Sequence, residues 1–453
     1  MAPFSEYATN MNFHQLDDLL RERALGALAL AQELGAEQSE IGLSADEGSS
    51  VTVRLGKLES VERQKNRSLG ITVYRNHCKG SVSSTDFSME GIESAVRKAL
   101  SIATFTAEDP HSGLADADLM AKDIKDLDLF HPWDIDVDSA ERVALRCEEA
   151  ARAYDVRIDN SEGATLATNG GIRIYANSQG FIGGYPSTSH SLSCSVVARR
   201  DDELERDYWV SSARVPGELE HATAVGRRAA ERAVRRLGSR QLATRVAAVL
   251  YPPELARGLI AHLVSAISGT SQYRRASFLL DACGKQFAAS DLDIDEDPHI
   301  PRAMGSTCFD SDGVATAPRR LVDKGVLRGY ALSAYSGRRL GLPTTGNAGG
   351  IHNLLVRPTA GPMEDILADC EGVFVVSELL GQGVSVVTGD YSRGAAGHWV
   401  ERGEVVHPVS EVTIAGNLSE MYRKIAAVGN DVDRRGVIRC GSLLVEGMTV
   451  AGQ

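Results

Sequence analysis

After Arg245 the chain stops alternating between helical and strand-like segments and runs mostly as short strands divided by glycine-rich turns. This change constrains the fold most. A strand-and-turn texture closes a β-rich unit on itself, whereas helices alternating with strands build mixed layers. Forty-four of the 453 residues are glycine, about one in ten against a usual share of roughly 7%. They fall into turn glycines spread along the chain and a dense set within 346–397.

Before Arg245, two mixed units are expected. Leu16, Leu19, Leu20, Leu28 and Leu34 mark an amphipathic helix over 13–34 that stops at Gly35. Alternating runs at 40–44, 50–61 and 69–75 predict strands, with Gly80 closing the turn after the third, and 89–107 returns to helical spacing. An acidic connector between Asp116 and Asp138 reads as solvated surface. A helix over 139–154 with Ser139 as N-cap follows. Strands are then expected at 164–166, 172–175, 187–198 and 204–210, parted by turns at Asn169-Gly170-Gly171 and Gly183-Gly184. A helix over 218–237 carries Arg227, Arg228, Arg232, Arg235 and Arg236, which read as a solvated face interleaved with Glu231. The expected fold class is α+β: N-terminal α/β units with short sheets and flanking helices, then a mostly β C-terminal domain with one principal helix. The domains are drawn at 1–108, 109–240 and 241–453.

Composition removes several functions. Lys plus Arg number 48 against 61 Asp plus Glu, a balance of −13, which disfavours nucleic acid and anionic membranes as partners because phosphate contacts need clustered cations. No apolar run approaches the roughly 18 residues of a membrane span, and the polar start over 1–12 lacks a signal-peptide core, so a soluble cytoplasmic protein is expected. The seven cysteines are scattered, with no C-x-x-C pair. Asp291-Leu-Asp-Ile-Asp-Glu-Asp has Glu296 and Arg302 where a calcium loop needs glycine and a bidentate Glu. Asp310-Ser-Asp312-Gly313 reads as a tight turn. Phosphate loops, dinucleotide fingerprints and nucleophile elbows are absent, and none of the eleven histidines is followed by glutamate.

The helix expected over 253–268 puts Leu255, Leu259, Leu263 and Ile267 on one stripe, with His262 at its edge. By spacing alone His262 is a packing or interface histidine. The segments Thr344-Thr-Gly-Asn-Ala-Gly-Gly-Ile-His352-Asn353 and 381–397 concentrate glycines beside His, Asp, Tyr and Arg. Two readings stand for them: close backbone approach to an extended peptide, or a set of hairpin turns and bulges.

Leu127-Asp-Leu-Phe-His-Pro, Ser277-Phe-Leu-Leu-Asp-Ala-Cys-Gly-Lys, Asn347-Ala-Gly-Gly-Ile-His-Asn, Gly381-Gln-Gly-Val-Ser, Gly389-Asp-Tyr-Ser-Arg-Gly-Ala-Ala-Gly and Ile414-Ala-Gly-Asn-Leu carry a pattern over essentially the whole chain. It resembles the TldD/PmbA family, which implies a two-subunit metallopeptidase. In the TldD type of subunit an H-E-x-x-x-H helix and a downstream cysteine hold one metal. Here the matching positions read Arg257-Gly258-Leu-Ile-Ala-His262, with Cys440 at the cysteine position. The resemblance therefore implies no catalytic residue and no metal in this chain, with His262 and Cys440 as relics. The partner is expected to be a TldD-like catalytic subunit carrying a divalent metal, zinc or iron. Substrates would be unfolded peptides such as leader peptides and unstable antitoxins. This chain would complete the substrate chamber, walled by His352, Asn353, Asp390, Tyr391, Ser392 and Arg393. Two rivals remain: an autonomous homodimeric peptidase using His262, Cys440 and a third ligand, and a non-enzymatic regulator of DNA gyrase, which the family's older naming suggests.

Overall fold

The computed structural model describes residues 13–452; the polar start over 1–12 lies outside them. The chain is α+β. Its first layer is an antiparallel sheet in the order β3-β2-β1-β4-β5-β6, built from β1 (Gln38–Arg54), β2 (Lys57–Arg75), β3 (Cys78–Ser84), β4 (Ile158–Asn177), β5 (Ile182–Arg200) and β6 (Glu203–Ala213). Segments 1–108 and 109–240 share this sheet, because β1 pairs with β4 from Glu40↔Asn177 to Val53↔Ala164.

Four helices cover one face. Ile41, Leu43, Val51 and Val53 have the same parity along β1 and point to one side. Helices α1 (Phe13–Glu33) and α2 (Met89–Phe105) pack on Ile41 and Leu43, while α3 (Val137–Arg152) and α4 (Ala222–Arg236) pack on Val51 and Val53. On the other face Tyr175 joins Met120 and Leu127 of the connector and Phe309 of the C-terminal part in one cluster. The connector's carboxylates are largely exposed, as expected, but its Met120, Ala121, Leu127 and Leu129 are buried in this seam.

Several local readings are corrected. The strand expected at 50–61 is two strands meeting at Leu55-Gly56, both with positive φ. The buried Glu148 carboxylate caps that turn, accepting from Leu55 N at 2.7 Å and Gly56 N at 2.8 Å. Asn169-Gly170-Gly171 lies inside β4, where Gly171 faces Asp46 across the β1 pair; a Cβ there would overlap the Asp46 carboxylate. Gly183-Gly184 likewise lies inside β5. Gly80 sits in β3 rather than at a turn, and an added Cβ would overlap the Ala99 carbonyl of α2. The cap of α3 is Asp136, whose carboxylate accepts from Ser139 N at 2.6 Å.

The C-terminal part begins with β7 (Arg245–Tyr251) and α5 (Pro253–Ile267). One sheet runs β10-β9-β8-β11-β16, from β8 (Ile294–Glu296), β9 (Arg319–Asp323), β10 (Val326–Leu327), β11 (Leu354–Val356) and β16 (Ile438–Arg439). Another runs β14-β13-β12-β7-β17-β15, from β12 (Val373–Leu380), β13 (Asp390–Glu401), β14 (Glu404–Asn417), β15 (Ile425–Val428) and β17 (Leu443–Ala451). Thr413↔Ala451 to Ala415↔Thr449 also pair β14 with β17. That pairing closes β14, β13, β12, β7 and β17 into a ring, which removes free edges from its members. Leu259, Leu263 and Ile267 of α5 are buried in its core. Two arginine forks hold this part to the N-terminal half: Arg214 donates to the Thr188 carbonyl of β5 and to those of Ala303 and Met304, and Arg338 donates to those of His111, Gly113 and Leu114 in the segment after α2. Among the described residues no helix is long and apolar enough to cross a membrane.

Candidate functional site

Pro252 and Pro253 start α5 where their missing N–H groups cost nothing, and the helix presents Arg257, Gly258 and His262 in turn. His262 is half-buried, its ring edge-on to Tyr391 with centroids 6.1 Å apart. Burial first, then the Arg393 charge, holds its pKa below the usual histidine value, which favours the neutral imidazole. Tyr391 is itself buried, and burial raises its pKa above the ordinary tyrosine value. Arg257 lies 3.9 Å from the Asp433 carboxylate, which Arg435 grips at 2.9 Å with two nitrogens. Burial alone would raise the Asp433 pKa, but the Arg435 hydrogen bonds and the Arg435 and Arg257 charges bring it below its ordinary value. A Cβ at Gly258 would meet nothing within 4 Å. Cys440 is fully buried beside Asp433 through a β-bridge and donates to the Gly441 carbonyl at 3.2 Å. Burial, and then Asp431, push its thiol far above the ordinary range.

These groups do not fit a hydrolytic metal centre. Such a centre needs three protein donors, a thiolate where cysteine is used, and a base for the bound water. The positions hold one imidazole, one neutral thiol, a guanidinium already paired with a carboxylate, and empty space at Gly258. Among the described residues no group of three or more His, Cys, Asp or Glu side chains could hold a metal ion.

The residues expected to wall a chamber divide between two sheets. His352 and Asn353 precede β11. The Asn353 side chain is buried and fully used, donating to Asp297 O at 2.9 Å and Ser306 Oγ at 2.8 Å and accepting from Gly305 N. His352 Nε2 donates to the Gly346 carbonyl oxygen, 2.8 Å away. Asp390 to Arg393 open β13. On one side they pair with β14, and on the other Val384 bridges Tyr391 while Ser392 N donates to Gly383 O at 2.7 Å. A Cβ at Gly383 would overlap the Ser392 carbonyl, so the backbone this glycine admits is the chain's own. Asp390 and Ser392 remain exposed and Arg393 partly so.

Sequence reasoning missed the hub of this region. Glu296, 2% exposed, accepts from Arg319 at 2.7 Å, Asn347 Nδ2 at 2.8 Å and His352 N at 2.6 Å. It also missed a buried acidic seam, although the tight turn at Asp310 is as expected, with Asp310 accepting from Asp312, Val314 and Ala348 N–H groups. Burial first and Asp312 second push the Asp310 pKa up to about 7. Burial likewise raises Asp312 and Glu40. A raised carboxyl stays protonated in the folded chain after the unfolded chain has lost its proton. Its stabilisation is full below 3.8 and is lost as pH rises to about 7. Urea unfolding across that window is expected to show a downward contribution with rising pH that is absent in D310N; equal slopes in the two proteins would refute it.

Three family models match the chain: PmbA/TldA metallopeptidase domain 1 over 39–103, the central domain over 130–237 and the C-terminal domain over 244–452. The chain belongs to the PmbA/TldD metallopeptidase family. Metalloprotease PmbA of Escherichia coli O157:H7 is 46% identical over 435 residues, 96% of each chain. Among solved structures, a Bacteroides thetaiotaomicron protein named as a candidate modulator of DNA gyrase superposes with a TM-score of 0.91 at 26% identity, covering 96% of this chain and 99% of that one. TldE of Thermococcus kodakarensis shares the fold, with a TM-score of 0.82 at 17% identity over 95% and 100% of the two chains. The family's C-terminal model contains α5, the ring and Cys440 together, so the positions compared above lie within one family domain.

Proposed function

We propose that this chain is the non-hydrolytic subunit of a two-subunit metallopeptidase, pairing with a TldD-like chain whose zinc or iron performs the cleavage. The observation that carries the reading is the helix α5: Arg257 is engaged with Asp433, Gly258 supplies no base, and only His262 and Cys440 have donor atoms. The chain completes a chamber for unfolded peptides, such as leader peptides and unstable antitoxins, in the cytoplasm. Because both edges of Asp390 to Arg393 are already paired, its grip on a peptide there is by the side chains of Asp390, Ser392 and Arg393, not by an added strand. His352 and Asn353 shape the wall from behind.

The test is peptidase activity of the assembled pair carrying H262A. The substitution is expected to cost about 1–3 kcal/mol of stability through lost packing on Tyr391 and to leave cleavage within about twofold, under 0.5 kcal/mol of barrier. Activity that vanishes while the pair still forms would place the active site here and sink the reading.

A further inference from the structure

A cavity of about 660 Å³ opens where the first sheet meets the C-terminal part. Glu40 of β1, Tyr74 of β2 and Lys79 of β3 line it from the sheet, and Asp312 and Tyr335 line it from the C-terminal part. The alternation of β1 puts Glu40 there: Ile41 and Leu43 point to the helices, so the residue before them points to the opposite face.

The polar groups of the cavity are met at one end and unmet at the other. Asp109 accepts from the Tyr335 phenol at 2.8 Å and from His111 N at 3.0 Å. Glu40 accepts one phenol on each oxygen, Tyr74 at 2.9 Å and Tyr175 at 2.8 Å, which leaves each oxygen a lone pair. Asp312 spends Oδ2 on the Ala334 N–H at 2.9 Å, and its Oδ1 has no hydrogen-bond partner among the described residues. Lys79 Nζ stands 5.9 Å from the Tyr74 ring centroid and has no ion-pair or hydrogen-bond partner among the described residues. Burial raises the pKa of Glu40 and of Asp312, and the Lys79 charge opposes it in both. The amine and the two carboxyls therefore lie within electrostatic reach of one another but out of contact. His77 aside, the lining carboxylates Glu40, Glu108, Asp109 and Asp312 outnumber Lys79 and Arg339 four to two, so the cavity favours a ligand with a positive end.

A group that fits between an ammonium and two carboxyls must carry a cation of its own and an acceptor beside it. A metal ion would suit Glu40 and Asp312 but be repelled by Lys79, and an anion would suit Lys79 but be repelled by the carboxyls. The free amino end of a peptide meets both demands, with three N–H donors on the ammonium and a carbonyl oxygen on the next carbon but one. We propose that this cavity captures the free amino terminus of a short peptide, its ammonium on Glu40 and Asp312 and its first carbonyl on Lys79. The choice of a peptide over another amine with a neighbouring acceptor rests on the peptide-handling role proposed above; the unmet Lys79 and Asp312 groups do not.

The test is isothermal titration calorimetry of this chain alone at neutral pH, with alanine amide as the probe, which has the ammonium and the carbonyl without a carboxylate. Saturable binding of alanine amide and of the dipeptide Ala-Ala is expected. N-acetyl-alanine amide, which lacks the charge, and ethylammonium, which lacks the carbonyl, should bind about tenfold more weakly or worse, some 1.4 kcal/mol. K79M should lose about as much for alanine amide and nothing for ethylammonium. Lys79 is exposed, so an unchanged thermal unfolding midpoint confirms that this variant folds, and D312N, which keeps an oxygen for the Ala334 N–H, then tests the carboxyl. No saturable binding of alanine amide at millimolar concentration, equal binding of the acetylated amide or of ethylammonium, or parental affinity in both variants would overturn the proposal. Alanine amide binding by a chain that never assembles with a TldD-like subunit would sink the subunit reading and spare the cavity. Absent binding with normal assembly and cleavage would do the reverse.

Discussion

E296A is expected to destabilise the folded chain by about 3–5 kcal/mol, the usual cost of removing one member of a buried ion pair. Glu296 is the acceptor for Arg319, Asn347 and the His352 amide at once. Truncation strands the Arg319 guanidinium with only the Tyr330 and Asn347 oxygens, and leaves the His352 N–H buried without a partner. The glutamate thus couples β8 and β9 to the glycine-rich segment before β11. Urea unfolding should show a lower midpoint with an unchanged slope, and the amides of 347–353 should exchange faster than those of α5. A midpoint shift worth less than about 1 kcal/mol would show that Asn347 and Arg319 hold the segment without Glu296.

R214A is the second large effect. Arg214 spends its guanidinium on three main-chain carbonyls, Thr188 O at 2.9 Å, Met304 O at 3.0 Å and Ala303 O at 3.1 Å. Burial pulls its pKa below the ordinary arginine value, so these bonds hold a charge that has left water. Hydrogen bonds to charged groups contribute roughly 1.5–3 kcal/mol each, partly shared, and a loss near 3 kcal/mol is expected. Because the fork ties β5 to the 303–304 segment, differential scanning calorimetry should show the single transition broadening or splitting as the first sheet and the C-terminal part lose their coupling. A sharp transition at the original temperature would mean that the Arg338 fork and the Phe309 seam suffice.

The five long helices α1 to α5 are legible in sequence because each carries one apolar stripe, whereas the short helices Gly269–Tyr273, Ala334–Leu340, Met363–Ala368 and Leu418–Arg423 are not; the change of texture at Arg245 does mark the entry into the ring through β7. Strand boundaries are less legible for a definite reason. Residues 57–68 of β2 are exposed over most of their length, so the alternation that marks a half-buried strand is missing there. Asn169-Gly170-Gly171 carries turn chemistry but sits mid-strand, since what selects Gly171 is the Asp46 side chain across the pair, a neighbour more than a hundred residues away. The polar hubs were invisible for the same kind of reason. Glu148, Arg214 and Glu296 look like ordinary surface charges until tertiary contacts remove them from water. The arginines of α4 carry both outcomes at once: Arg232 and Arg236 find carboxylates of this chain, while Arg227 and Arg228 have none among the described residues. At α5 the residues themselves, Arg257 and a glycine at 258, are visible in the letters alone, while the Asp433 carboxylate beside Arg257 comes only from the fold.

The central claim, that hydrolysis belongs to a partner, is tested most directly by native mass spectrometry with metal analysis of this chain alone and after mixing with a TldD-like subunit. The account predicts a metal-free chain that forms a one-to-one complex, with one zinc or iron per pair and peptide cleavage only in the complex. Stoichiometric metal and cleavage by this chain alone, or no complex and cleavage by the other subunit unchanged on mixing, would contradict it.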